Sequence, residues 1–256
     1  MKKLQIFFFF LGSLLCNAQT KGVLQKTIAL DNTTFVGCDY HFNYYSFNTT
    51  ILYKNTKDKR LNYSNFLYGN ISAVDISNPL KIVIFYRDFN TVVLVDSQLN
   101  ETDVIQLPYD VSYVTKGTAN NLWLFVTNTQ IIENYNFKSK TVLSRSQPLK
   151  NAKVLNMKST ENYVYIHTDT GIQTFDYLGN FIREYKSNAL EDFQYNNRVL
   201  YTLSQDTIYQ IKETKTAFFI PNVAKIKKFY TLNNHFFIFD SSQLYFFSTE
   251  EKNSMY

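Results

Sequence analysis

Chemistry at neutral pH would have to start from three histidines, two cysteines and 21 acidic residues in a chain of 256. Histidine titrates closest to neutrality, and it stands here at His41, His167 and His235. None of them has the His-x-His or His-Glu-x-x-His spacing that gathers metal ligands on one element. His167 closes one apolar run and His235 opens another, so each reads as a ring at the junction of strand and loop. Nucleophile signatures are missing: there is no Gly-x-Ser-x-Gly elbow and no Ser-x-x-Lys with its companion motifs. Seven glycines supply neither Gly-x-Gly-x-x-Gly nor Gly-Lys-Ser/Thr, the loops that cradle phosphate. Glu191-Asp192 and Glu250-Glu251 are adjacent, which on a strand sends the two carboxylates to opposite faces; both pairs read as solvated charge. The residues predict no catalytic, cofactor-binding or metal site.

The elements that would position any site are strands. Tyr (20) and Phe (23) are abundant and charged residues make up only 18% of the chain, a usage that favours sheet. No stretch carries a sustained apolar period of 3.6. Lys81–Asn100 contains two Val- and Ile-rich runs hinged at Arg87-Asp88-Phe89-Asn90. The same pattern returns at 122–136, 163–177, 198–212 and 235–248. With Ile82, Leu122, Tyr163, Val199 and Phe236 as equivalent points, the intervals are 40, 41, 36 and 37 residues. Alternating segments precede the hairpins (Ile71–Ser77, Val111–Thr115, Val154–Met157). Further short segments follow them (Asp103–Leu107, Thr141–Ser144, Phe181–Tyr185, Ala217–Ile220). Four short strands every forty or so residues make a propeller blade.

The blades fall at about 31–69, 70–109, 110–150, 151–187, 188–222 and 223–250. The last lacks its outer strand, and Val23–Ala29 is left over at the start to supply it and close the ring. The fold predicted is all-β, a single propeller domain over 20–256 with six four-stranded blades; seven blades is the alternative. Each hinge carries Asp or Asn near its centre (Asp88, Asn128, Asp169, Asp206, Asp240), residues suited to tight turns. Four recurring aspartates on one rim could serve calcium, but turn formation accounts for all of them.

Residues 1–19 read as a secretory signal: Met1-Lys2-Lys3, an apolar block of about a dozen residues that is too short to span a bilayer, then Cys16-Asn17-Ala18-Gln19. Leu15 stands where a lipobox needs a small residue, so the expectation is cleavage near Ala18 or Gln19 rather than acylation of Cys16. That leaves Cys38 as the one cysteine of an exported chain, buried and inert, with no internal disulfide to form. The formal charge of +5 becomes +3 once Lys2 and Lys3 are removed. This is too small and dispersed for a nucleic-acid surface; Lys225-Ile226-Lys227-Lys228 reads as the wet face of a strand.

Phe175-Asp-Tyr-Leu-Gly-Asn-Phe-Ile-Arg183 resembles the D-x-x-G-x-F turn between third and fourth strands of NHL-type six-bladed propellers, and Asp96-Ser-Gln-Leu-Asn100 is a version of it without the glycine. The Trp-Asp endings of WD40 repeats and the Asp boxes of sialidases are absent. The chain has 27 Asn against 7 Gly. In that Asn-, Tyr- and Phe-rich style, with a leader ending Asn-Ala-Gln, it is similar to envelope proteins of gliding, type-IX-secreting Gram-negative bacteria. The resemblance implies a non-catalytic, exported scaffold whose partners are envelope proteins of a secretion or motility complex. Aromatic residues anchor protein interfaces, and the aromatic irregular stretches nominate Tyr40, Phe42, Tyr44 and Tyr45, with Tyr109 and Tyr113, as partner-binding residues. Two rivals are a hydrolase or lyase with a central metal, acting on glycans, lactones or phosphoesters, and a small-ligand sensor. The hydrolase would need acids converging on the axis, where the first-strand segments offer Asp75 and little else.

Overall fold

A computed structural model describes residues 20–30, 32–149, 152–212, 214–220, 223 and 225–249; residues 1–19, read from sequence as a signal and including Cys16, and Glu250-Glu251 lie outside them. The first strand, β1 (Thr20–Ala29), is set apart from the blade that follows it in sequence. Blade 1 is β2 (Thr34–Cys38), β3 (Tyr44–Phe47), β4 (Ile51–Asn55) and β5 (Arg60–Ser64); blade 2 is β6 (Ala73–Asp75), β7 (Ile82–Tyr86), β8 (Thr91–Val95) and β9 (Glu101–Gln106). Blade 3 is β10 (Val111–Lys116), β11 (Asn121–Val126), β12 (Ile131–Asn136) and β13 (Thr141–Arg145); blade 4 is β14 (Val154–Ser159), β15 (Tyr163–Thr168), β16 (Gly171–Asp176) and β17 (Phe181–Lys186). Blade 5 is β18 (Asp192–Asn196), β19 (Val199–Ser204), β20 (Thr207–Ile211) and β21 (Lys215–Phe219). Blade 6 holds β22 (Lys228–Leu232), β23 (His235–Phe239) and β24 (Gln243–Thr249), and β1 adds its fourth strand antiparallel to β24. The result is a six-bladed β-propeller closed by the N-terminal strand.

Closure goes one step beyond the expectation. β1 starts at Thr20, and its first residues also pair in parallel with β21 (Thr20↔Phe218, Lys21↔Phe219) before it turns onto β24. Gly22 marks the crossing: a Cβ there would sit 3.2 Å from both the Phe218 and Phe247 rings. One strand thus ties the two end blades together.

The periodicity of the middle strands explains why their sequences are unbroken apolar runs. Ile82, Ile84 and Tyr86 of β7 point into the core shared with blade 1, whereas Val83 and Phe85 point into the core shared with blade 3. Both faces of such a strand are buried, so alternation disappears. It returns on the outer strands, as in β13, where exposed and half-buried residues alternate. Each junction between neighbouring blades has its own apolar core, the last joining Phe237 and Leu244 of blade 6 to Phe35 and Cys38 of blade 1.

The hinges and the inner strand of blade 2 show local detail that the sequence did not resolve. In the four-residue hinges the left-handed position falls on Asn90 (φ 48°) and Gln130 (φ 55°), beyond the central Asp88 and Asn128. Such loops place the left-handed residue last, just before the chain re-enters the strand; the two-residue turn at Gln205-Asp206 puts it on the aspartate, and after Asp169-Thr170 it falls on Gly171, the first residue of β16. The inner strand of blade 2 is Ala73–Asp75 rather than 71–77, because the Asp75 carboxylate accepts the Ser77 amide at 2.8 Å and turns the chain out of the sheet. Among the described residues no helix is long and apolar enough to cross a membrane.

Candidate functional site

The six inner strands all run the same way, and their C-terminal ends meet on one face around a cavity of about 880 Å³. Blade 1 contributes Asp39 and Tyr40, blade 2 Asn78, blade 3 Lys116, blade 4 Glu161 and Tyr163, blade 5 Gln194, Asn196 and Arg198, and blade 6 Tyr230 and Thr231. Inner strands of different blades share no backbone ladder, so side chains join them. Asp75 accepts the Lys116 amide at 2.8 Å and the Thr115 hydroxyl. Thr115 Oγ1 lies 3.0 Å from Ser159 Oγ, and Lys158 Nζ donates to Asp192 Oδ1 at 2.8 Å. Gln194 Nε2 and Asn196 Nδ2 donate to the Phe229 and Thr231 carbonyls at 3.3 and 3.0 Å. Between blades 6 and 1 the joint is steric: a Cβ on Gly37 would lie 2.7 Å from the Tyr230 ring, so glycine lets that ring lie across β2.

Asp192 is therefore not the solvated charge that its place beside Glu191 predicts. It is buried, because β18 begins at the axis and Lys158 meets its carboxylate there. Lys228, read from sequence as part of a wet strand face, is half-buried on the inner strand of blade 6, while Lys225 and Lys227 are exposed around a buried Ile226. Burial pushes Lys228 down to about 8, with Asp192 opposing the shift and Lys158 adding to it. His167 is buried too, edge-on to Phe193 at 6.0 Å, and burial lowers its pKa. Among the described residues no three His, Cys, Asp or Glu side chains form a metal-binding group.

The aromatic loop between β2 and β3 is built on Asp39. Its Oδ1 accepts the His41 and Asn43 amides at 2.9 and 3.1 Å, and its Oδ2 accepts Asn43 Nδ2 at 2.9 Å and the Tyr45 hydroxyl at 3.1 Å. Lys54 Nζ completes the cage at 3.7 Å. Phe42 sits at φ 60°, a conformation that costs a non-glycine residue about 1 kcal/mol or more; the hydrogen bonds of the cage hold it there. The same cage recurs at Asp96 with Asn100 and at Asp176 with Asn180, with Leu99 (φ 64°) and Gly179 (φ 84°) in the left-handed place. Asp39-Tyr-His-Phe-Asn43 is thus a third copy of the turn, moved to the first loop of a blade. Its legible signal was the Asp-x-x-x-Asn spacing.

Each nominated aromatic now has a place. Tyr40 is 72% exposed and lines the cavity mouth. Phe42 is 45% exposed, its ring edge-on to His235 at 4.8 Å. Tyr44 is half-buried against Phe246. Tyr45 is fully buried, its phenol pushed far up by burial and by Asp39, so it belongs to the frame and not to a surface. Tyr109 and Tyr113 lie at the other end of the ring, around the start of β10. Tyr109 is half-buried, its hydroxyl given to Glu133, which also accepts Arg145 Nε at 2.6 Å. Tyr113 is half-buried under the Arg87 guanidinium, its hydroxyl on the Val154 carbonyl at 3.1 Å. The fold does not bring Tyr109 and Tyr113 together with the Tyr40 loop.

Protein-family models and curated protein sequences give no match to this chain. Solved structures do. The WD40 repeats of RRP9 superpose with a TM-score of 0.65 at 8% identity, covering 88% of this chain and 97% of that one. Virginiamycin B lyase from Staphylococcus aureus gives 0.61 at 9% identity, over 91% and 95%. BamB from Moraxella catarrhalis gives 0.51 at 14% identity, over 84% and 69%. At these identities the likeness is one of fold: this chain has the architecture of a β-propeller.

Proposed function

We propose that this chain is an exported, non-catalytic propeller that binds protein partners in a Gram-negative cell envelope, as an accessory of type IX secretion or gliding machinery. The observation that carries the reading is the Tyr40–Phe42 loop. Two aromatic side chains are held out to solvent on a turn that the buried Asp39 cage makes rigid. Aromatic anchors ordered before binding lose little entropy on association and dominate interface energies. The partner-binding surface is accordingly Tyr40 and Phe42, with Tyr45 and Asp39 as its frame. Three acids on or beside the inner strands support the non-catalytic side of the reading. Asp39, Asp75 and Asp192 each hold neighbouring strands or turns together through amides, hydroxyls or a lysine.

The compartment rests on the leader: a mature chain starting near Gln19 or Thr20, without an acyl group on Cys16. The test is affinity capture of the tagged chain from native membranes, with mass spectrometry of what accompanies it and of its own N-terminus. Wild type should retain envelope proteins that the Tyr40→Ser, Phe42→Ser double variant loses while keeping its melting curve. Identical captures would refute the assignment of the surface.

A further inference from the structure

The axial cavity has no role in that protein-binding surface beyond sharing Tyr40 at its mouth, and its lining has a chemistry of its own. Its volume, about 880 Å³, lies in the upper part of the range that holds drug-sized ligands, roughly 300–1,000 Å³. Its charges are sparse and mixed. Lys116, Arg198 and Glu161 stand on three different blades, and Asp39 is already neutralised by Lys54. A polyanion finds no cluster of positive charge here, and an apolar ligand would strand the amides and hydroxyls of the wall.

Those neutral groups are oriented in advance. Asn196 and Gln194 give their amide N–H to strand carbonyls, which leaves their side-chain oxygens as acceptors. Asn78 is fixed the other way: its Oδ1 accepts the Leu80 amide at 3.0 Å, leaving its NH₂ as a donor. At the rim, Tyr163 and Tyr40 offer exposed ring faces. Fixed acceptors, a fixed donor and flat aromatic faces fit a ligand whose groups each donate and accept around an apolar ring face. We infer that the axial cavity binds a neutral, hydroxyl-rich ligand, a short oligosaccharide of two or three residues.

The purified mature chain would be screened on an array of neutral glycans, and each hit measured by calorimetry with the free oligosaccharide. Retention of a neutral di- or trisaccharide is expected. Asn78→Asp, which keeps the oxygen that accepts the Leu80 amide and removes only the NH₂ donor, should weaken it about fivefold, the loss of one hydrogen bond. Tyr163→Ala should weaken it about tenfold through the lost ring face. Both variants should still capture the protein partners of wild type, and Phe42→Ser should still bind the glycan, so failure of either proposal leaves the other readable. An array that holds nothing overturns the inference. So does affinity confined to peptides, which would make the cavity the seat of a partner's loop, or glycan binding that neither variant weakens.

Discussion

Closure of the ring by β1 can be broken at one atom. Leu30 donates its amide to the Ser242 carbonyl at 2.7 Å, and the register pairs Ile28 with Leu244 and Thr27 with Tyr245. Hydrogen-bonded pairs alternate along an antiparallel ladder, so the Ile28 amide faces β24 and the Thr27 amide faces outward. Only Thr20 and Lys21 pair with β21, so nothing in the sheet receives the Thr27 amide. Ile28→Pro removes a ladder donor and leaves the carbonyl of the buried Leu244 unpaired, a cost of about 1–3 kcal/mol. Trimming the half-buried side chain adds about 1 kcal/mol, for a total of about 3 kcal/mol. Thr27→Pro, with its amide on the free edge, should cost about 1 kcal/mol or less. Urea unfolding can be followed at Trp123, the single tryptophan, buried in blade 3 well away from the closure. With a slope of about 3 kcal/mol/M, Ile28→Pro should lower the midpoint by about 1 M, and Thr27→Pro by about a third of that at most. Equal midpoints for the two prolines would refute the register, and an unmoved Trp123 transition in both would refute closure as a global constraint.

The interior makes three further predictions. Cys38, buried and with its thiol pushed up by burial and then by Asp39, should stay unlabelled by iodoacetamide in the native protein and react only as the ring unfolds. Lys228 holds a folded-state value of about 8 against 10.5 in the free side chain, so between those pH values the unfolded chain binds more protons and stability rises with pH. Lys228→Met should therefore stabilise the protein by about 3 kcal/mol at pH 7, and the gain in urea midpoint should shrink at pH 9. Gly171 stands at φ 145° with the Tyr185 carbonyl oxygen 2.0 Å from where a Cβ would be; Gly171→Ala should cost about 3 kcal/mol or more, read as a lowered melting temperature.

The period of the fold was legible because each blade is local: β7, β8 and their counterparts pair with their sequence neighbours, and burial on both faces writes each pair as two apolar runs. The parts that escaped sequence reasoning depend on contacts between distant segments. Asp192 looks solvated beside Glu191 until Lys158, 34 residues earlier in the chain, meets it at the axis. The Asp39 turn was hidden because Phe42 occupies the place that Gly179 holds in the resembling motif. Tyr44 and Tyr45 are neighbours on a strand, so one must face inward; it is Tyr45, drawn in by the Asp39 carboxylate. Composition marks aromatic stretches but not the end of the ring on which they lie, which is why Tyr109 and Tyr113 separate from Tyr40 and Phe42.

The binding face is tested most directly by where a partner touches. A photo-crosslinking amino acid placed at Tyr40 would report on the cavity face, and the same group at Leu67, 76% exposed in the loop between β5 and β6, on the opposite one. Irradiation in native cells should trap a discrete envelope protein from position 40 and none from position 67. Crosslinks from position 67 alone, or from neither, would contradict the account.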